Sequence, residues 1–528
     1  MIDPMSEFVI VGSGINSLVC AALLARDGKK VTVLERNDRA GGCIRTEELF
    51  PGYRHDVLSG WYPLFTSSPA YESLGDDLHQ RGLEIVNTDI PTGVLTDDGR
   101  GLVLTTDDSA NVTRLNALNP GEGDRYRAVM EQFLSRDSDL VFGLLGRQLW
   151  TLSATRLLWS DSRKRGGLRS LVSFLGEALA SGRGWLEADF EDDLTRALIA
   201  PWTLHAGLGP DDAYSGIMGK VILATLVMAG MPVVKGGSDQ VVAAFARLIS
   251  DHGGEIHTGV DVVEVLVEGG KAVGVRAADG SVHRASRAVI CNVTPTQLYG
   301  RLIPRREVPE VTVRHALGYR YGRADMQIHL ALDQPPHWVD EGVGAATMVH
   351  LTGGLDAVSK AVSEAERGLL PEAATVVVGQ PTLSDPSRAP EGAAILWIQL
   401  QEVPSRIRGD AAGVIDTPPD GTWTEEVREA YADRIQARLG RHITNLDEAL
   451  VGRSVYSPTD LERLNMNLVG GDPYSGACTL DQFLLWRPMA ETQNHETPLA
   501  GLYHIGASTH PGPGLGGGSG YMVAQEFT

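Results

Sequence analysis

The sequence predicts an α/β fold of two lobes, one built on a parallel sheet and one of mixed α+β type, both discontinuous along the chain. Three observations carry that prediction. Residues 8–34 read as strand, glycine turn, helix and strand, the βαβ unit of a parallel sheet. Strand-like runs and glycine turns return at 236–291 and at 503–520, far from the first unit in sequence. The chain has 528 residues, several times the usual span of one domain, with 43% apolar and 21% charged residues, enough to bury a large core.

The elements follow in order. Phe8-Val9-Ile10-Val11 is a β-rich apolar run ending in Gly12-Ser13-Gly14-Ile15-Asn16-Ser17. Leu18 to Arg26 places apolar residues at helical spacing, and Val31-Thr32-Val33-Leu34 ends in Glu35. From about Thr66 to Lys220 the pattern is mixed and largely helical. Gly236-Gly237 opens a helix from Asp239 to His252. Strands are expected at Glu255–His257, Val262–Val267, Ala272–Arg276 and Ala288–Cys291. Beyond Tyr299, strand-like runs at Met326–Leu332 and Ala394–Gln401 mix with a helix at Thr424–Leu439. Tyr503-His504-Ile505-Gly506 is a last buried strand, and a helix starts at Ser519 after a glycine-rich turn.

The first glycine turn points to a ligand. Gly12 allows the tight turn, Gly14 lets the backbone approach a pyrophosphate, and the helix N-terminus favours the phosphate charge. Ser17 stands where a third glycine is usual. Glu35 lies 23 residues beyond Gly12, at the end of the second strand, where a carboxylate accepts from ribose hydroxyls. This is a Rossmann-like dinucleotide site. A second pair, Gly41-Gly42, directly follows the ribose-binding strand. A bound NAD does not need it, whereas FAD proteins use it to run backbone past the ribityl and phosphate groups. Arg45 is a candidate to offset phosphate charge, with solvated loop charges as the alternative for it and for Arg39, and Arg36 is a further candidate to line the same ligand.

These residues extend into a family resemblance. Gly41-Gly42-x-x-Arg45-Thr46 and Phe50-Pro51-Gly52-Tyr53-Arg54-His55-Asp56 resemble the bacterial phytoene-desaturase family of FAD-dependent oxidoreductases. So do Pro232-Val233-Val234-Lys235-Gly236-Gly237-Ser238, Gly274-Val275, Asp279-Gly280, Asp385-Pro386-Ser387-Arg388-Ala389-Pro390-Glu391-Gly392 and Ser457-Pro458-Thr459-Asp460-Leu461. The run from Gly501 to Gly514, containing Gly506-Ala507-Ser508-Thr509-His510-Pro511-Gly512, is the most specific. The resemblance implies a glutathione-reductase-type FAD domain from 1–65, 225–300 and 490–528. It implies a substrate domain with a helical lid from 66–224 and 301–489. It also implies FAD contacts from Val262 at the adenine, Gly506 and Ala507 at the ribityl phosphate, and Gly516, Gly517 and Gly518 at the flavin edge.

Composition narrows the function. A net charge of −21 disfavours binding to nucleic-acid phosphates. Cys20, Cys43, Cys291 and Cys478 are far apart, without the spacing of a disulfide framework or a zinc site, so no metal is expected and a reducing, cytoplasmic setting is. Met1 to Met5 has no basic n-region or apolar h-region, so no secretory signal is expected. The longest apolar window, Val221 to Val234, is interrupted by Thr225, Gly230 and Pro232, so no membrane span is expected.

The substrate side shows no strong catalytic motif. His510 is the candidate proton relay, with a structural or cofactor-contacting role as the alternative. His205 reads as a core histidine. Trp61, Tyr62 and Phe65 are candidates to wall the flavin face, with core packing as the alternative. Arg147 to Arg169 carries six basic residues against Asp161 alone, interleaved with Leu149, Trp150, Leu152, Leu157, Leu158 and Trp159. A basic amphipathic stretch of this kind suits an anionic membrane surface, a solvated helix face or a lid.

The leading expectation is an FAD-dependent oxidoreductase that removes hydride from carbon in a lipophilic small molecule, such as a polyene or secondary metabolite. A flavin-dependent cis–trans isomerase, an amine oxidase and a non-catalytic FAD-binding scaffold are the alternatives. A single nucleotide-binding turn argues against a built-in NAD(P)H site. Oligomeric state is left open.

Overall fold

Ser6–Val11 sits in the middle of a seven-stranded sheet, with Phe8, Val9 and Ile10 wholly buried. A strand covered on both faces reads as a continuous apolar run rather than an alternation. In the computed structural model, which describes residues 5–528, this strand runs parallel to two neighbours. Ile10 lies opposite Val33 of Val31–Leu34 on one side and Ile290 of Val282–Asn292 on the other. Glu255–His257 and Leu502–Ile505 extend the parallel part outward. The first four residues, where the N-terminal reading begins, lie outside the described residues.

Val282–Asn292 is longer than the sequence suggests. Its first part pairs antiparallel with Lys271–Ala277, which pairs in turn with Val262–Glu268. Arg284, Ser286 and Arg287 interrupt the apolar run there, yet ladder pairing carries the strand through them.

Helix Ile15–Arg26 is buried on nearly every side. It packs between the sheet and two further helices, Asp239–Asp251 and Gly518–Ala524. A Cβ at Gly520 would stand 1.8 Å from Asn16 O, so only glycine lets the first and last helices meet backbone to backbone.

A second seven-stranded sheet runs in the order Leu450–Tyr456, Ala324–Leu332, Ala394–Val403, Val376–Gly379, Met348–Thr352, Thr92–Thr96, Gly101–Leu104. Its neighbours are antiparallel except for the parallel pair Met348–Thr352 and Thr92–Thr96. Thr92–Thr96 and Gly101–Leu104 correct the helical reading of 66–220. This short hairpin joins its sheet only through Met348–Thr352, a partner remote in sequence. Helices between Asp108 and Ala229 cover this side, among them Leu152–Lys164, Leu168–Ala178 and Ser215–Ala229. Pro69–His79, beyond the expected boundary at 65, contributes Ala70, Leu74 and Leu78 to the core of the first sheet. No helix among the described residues is long and apolar enough to cross a membrane.

Arg388, in the connection between strands Val376–Gly379 and Ala394–Val403, ties that connection to the short strands Tyr53–Asp56 and Val233–Val234. Its fully buried guanidinium pairs with Asp56 and Asp385 and donates to Val234 O at 2.7 Å. Asp56 also accepts from Thr46 Oγ1 at 2.6 Å and from Ser238 N at 2.9 Å. Asp385 accepts from Gly236 N at 2.7 Å.

Candidate cofactor and substrate site

The ends of the parallel strands open into a cavity of about 770 Å³. Gly12, Gly14, Glu35 and Arg36 line it at one end, joined by Gly41, Gly42 and Val262. The two glycine turns touch: Gly14 bridges to Gly41, and a Cβ on Gly42 would lie 3.1 Å from Gly14 Cα. Gly41 holds φ +123°, and a Cβ there would meet Ile44 O at 2.5 Å. The turn therefore excludes every residue but glycine at that point.

Glu35 is held in place by three donors. Its carboxylate accepts from Ser13 N at 3.0 Å, Ser13 Oγ at 2.6 Å and Asn37 N at 2.9 Å. Ser13 Oγ accepts in turn from Gly41 N at 3.0 Å. Ser13 thus links the first turn, the Glu35 carboxylate and the second turn. Sequence spacing does not single it out, because its role depends on the two turns meeting.

Asn292 is a second residue that sequence spacing does not single out. It ends the shared strand, lines the cavity and lies against Gly12, Gly14 and Gly506. Its Nδ2 donates to Ser17 Oγ at 3.0 Å. Ser17 is therefore fully buried and anchored behind the turn instead of facing the cavity. Gly506 likewise sits behind the wall, with its missing Cβ 2.3 Å from Asn292 Oδ1, while Ala507 and Gly516, Gly517 and Gly518 line the cavity directly.

Two expected contacts are redirected. Arg45 pairs with Glu47 and does not line the cavity. His510 is buried, and its Nε2 lies 3.1 Å from Leu144 O and 3.0 Å from Arg147 O, where an N–H donates to the backbone of that segment. Burial holds its imidazole down to about 4. His510 thus ties the closing glycine run to the backbone of residues 144–147 and is not among the residues that line the cavity. Trp61, Tyr62 and Phe65 are also absent from the wall. Trp61 packs edge-on against Trp397 at 4.7 Å, and Tyr62 and Phe65 are wholly buried core.

Away from the glycine turns the lining is uncharged, with Phe142, Leu145, Met218, Val221, Ile222 and Phe483 beside the polar His205, Thr225, Gln399, Gln401 and Tyr474. The charged residues of the whole lining are Glu35, Arg36, Asp261 and Arg301. Asp261 and Arg301 pair at 2.7 Å, and Asp261 adjoins Val260, whose N–H donates to Glu35 O at 2.8 Å. All four charges therefore gather at the glycine-turn end. His205, read from sequence as core, lines the cavity.

The residues fit a flavin dinucleotide. Gly14 caps helix Ile15–Arg26 with no side-chain acceptor, leaving first-turn N–H groups for a phosphate. Glu35 keeps lone pairs beyond those used by Ser13 and Asn37, with which it would accept from ribose hydroxyls. The glycine turns pack so closely that a Cβ at Gly12, Gly41 or Gly42 would meet Asn292 O, Ile44 O or Gly14 Cα, and they present bare main chain to the cavity. Gly12, Gly14, Glu35, Gly41, Gly42, Val262, Ala507 and the 516–518 run would hold FAD. Replacing Glu35 with alanine removes a charge-assisted acceptor contributing about 1.5–3 kcal/mol. FAD affinity, read by fluorescence titration of apoprotein, is expected to fall about 10- to 100-fold.

Comparison with known proteins agrees with this geometry. The chain is 26% identical over 540 residues to one of the limonene dehydrogenase subunits of Castellaniella defragrans, covering 98% of this chain and 94% of that one. It is 25% identical over 547 residues to the neurosporene-forming phytoene desaturase of Rhodobacter capsulatus, covering 99% and 94%. Putrescine oxidase solved with putrescine shares the fold at a TM-score of 0.63 and 16% identity, covering 99% of each chain. Residues 18–513 match the family described as flavin containing amine oxidoreductase. The α/β architecture and the glycine cradle are those of an FAD-dependent oxidoreductase, and the chain belongs to the flavin containing amine oxidoreductase family.

Proposed function

We propose that the protein dehydrogenates a largely apolar small molecule at carbon, forming a double bond. The observation that carries this reading is the uncharged far end of the cavity, continuous with the FAD cradle. An ammonium substrate needs an anionic partner once it leaves water. No carboxylate or lysine lines that end among the described residues. Two relatives carry names that pair dehydrogenation and desaturation with the hydrocarbons limonene and phytoene, which supports a lipophilic substrate. Bound FAD supplies a two-electron acceptor for the hydrogen removed. The chain's own side chains orient the substrate and keep water out: Phe142, Leu145, Met218, Val221, Ile222 and Phe483 wall it on the lid side. The division at 1–65, 225–300 and 490–528 against 66–224 and 301–489 is proposed with this reading, supported by which strands join which sheet. An anaerobic screen of terpenoid hydrocarbons against primary amines tests the reading. Bleaching of the flavin band by the former and not by the latter supports it; the reverse defeats it.

The same reading includes a peripheral membrane contact through 147–169. Helices Leu152–Lys164 and Leu168–Ala178 expose Leu152, Trp159, Leu168 and Val172 to 75%, 60%, 71% and 58%. Exposed apolar area of that size marks an interaction surface. Arg156, Arg163, Lys164 and Arg169 are exposed among these residues, with Arg163 stacked 3.6 Å over Trp159. Arg165 does not contribute: it is buried, paired with Asp137 at 2.7 Å and Asp161 at 2.5 Å. Leu145 and Gly146, just before this segment, line the cavity, so a molecule dissolved in lipid would meet the cavity wall directly. Surface attraction contributes about 1 kcal/mol per basic residue. Replacing Arg156, Arg163 and Arg169 with glutamine is expected to abolish low-salt co-sedimentation with anionic vesicles. Binding unaffected by that change would contradict the contact.

A further inference from the structure

His205 and His350 form a pair that the glycine cradle does not explain. His205 closes the helical turn Ala200–Ala206, its ring tilted over Trp202 at 4.4 Å. Its Nε2 lies 3.0 Å from Nε2 of His350, on strand Met348–Thr352. One nitrogen donates and the other accepts, so the pair has two possible proton arrangements.

The burial of His350 selects between them. Its Nδ1 is fully buried with no partner. A buried N–H without an acceptor is rarer and costlier than a bare lone pair. His350 therefore keeps its proton on Nε2 and donates it to His205. Neutral His205, accepting at Nε2, carries its own proton on Nδ1. That nitrogen has no protein partner among the described residues, and His205 lines the cavity.

We infer that His205 Nδ1–H is a specificity-determining hydrogen-bond donor, set by His350 and aimed at an oxygen acceptor on an otherwise apolar substrate. This rests on the apolar-substrate reading above and narrows it to oxygenated molecules, such as ketones, aldehydes or alcohols on a hydrocarbon frame. Neighbouring polar groups of the lining are bonded to protein partners through their hydroxyl or amide N–H. Tyr474 donates its hydroxyl to Leu204 O at 2.6 Å and accepts from Gln401 Nε2 at 2.9 Å, and Gln399 gives an amide N–H to Asp325. The titratable group packed against His205 from the facing strand is His350; Tyr474, against the preceding residue, is held protonated by burial. Burial brings His205 down to about 3 and His350 well below its ordinary value, so both stay neutral at working pH.

Carvone and limonene share one carbon frame and differ by a carbonyl oxygen, so their affinity ratio for the FAD-loaded protein reads the donor. Carvone is expected to bind about tenfold more tightly relative to limonene than it does in His205→Phe. His205→Asn, whose amide N–H reaches the same region, is expected to restore most of the ratio. A ratio unchanged in His205→Phe overturns the inference. Nitrogen-15 NMR supplies a second test that needs no ligand. Neutral His205 protonated at Nδ1 from pH 5.5 to 8 is expected; protonation at Nε2, or titration within that range, overturns it. Failure of both compounds to bind would count against the apolar-substrate reading, and the tautomer measurement then decides this inference alone.

Discussion

Replacing Arg388 with methionine is expected to destabilise the protein by about 3–5 kcal/mol, because it strands two buried carboxylates. Asp56 and Asp385 are 4% and 2% exposed, and neither can recover its lost partner from water. The same network holds Ser238 N and Gly236 N, at the turn that opens helix Asp239–Asp251. Urea denaturation of FAD-loaded protein measures the loss. An exposed arginine, Arg306, serves as the control and should shift stability by less than about 0.5 kcal/mol when replaced. A loss below about 1 kcal/mol at Arg388 would show that the network is not structural.

Acidification from pH 6.5 to 4 is the second large effect. Burial holds His329, His495, His504 and His510 down to about 4, against an ordinary value of 6.5. His205 lies near 3, and His55 and His350 are also lowered by burial. At these rings the folded state binds fewer protons than the unfolded chain in this interval, while buried Glu402, raised to about 7, and Asp325, also raised, bind more and offset part of the effect. The stability from keeping these rings neutral is thus complete above pH 6.5 and is lost as pH falls toward 4. Lowering one ring's pKa by 1 corresponds to about 1.4 kcal/mol, so several lowered rings together make up a large part of the margin of an ordinary domain. Equilibrium unfolding midpoints should fall steeply between pH 6.5 and 4. A flat profile down to pH 5 would contradict the burial of these rings.

The parts legible from sequence are those encoded by short spacing. Gly12, Gly14, Glu35, Gly41 and Gly42 stand close together in the chain, and a strand before them and a helix after them fix where they face. The 516–518 run is legible for the same reason. Ser13 and Asn292 are not, because each acts between turns that only the folded sheet brings together. Arg45 departs from its expected place because a local partner, Glu47, captures it. His510 departs because the segment that holds it, Leu144 to Arg147, is more than 360 residues away. Three motifs visible only as resemblances, around Asp56, Gly236 and Arg388, acquire a physical meaning once the guanidinium joins them. His205 reads as an ordinary core residue because nothing nearby in sequence announces His350, 145 residues later.

Anaerobic mixing of FAD-loaded protein with an apolar substrate tests the central claim most directly, with the flavin band and the product followed together. Dehydrogenation requires one flavin reduced for each double bond formed, at a rate matching product appearance in the first turnover. Product appearing without flavin reduction, or only after the protein has been treated with dithionite, would indicate isomerisation and contradict the account; product formed by FAD-free protein would contradict the assignment of the cavity itself.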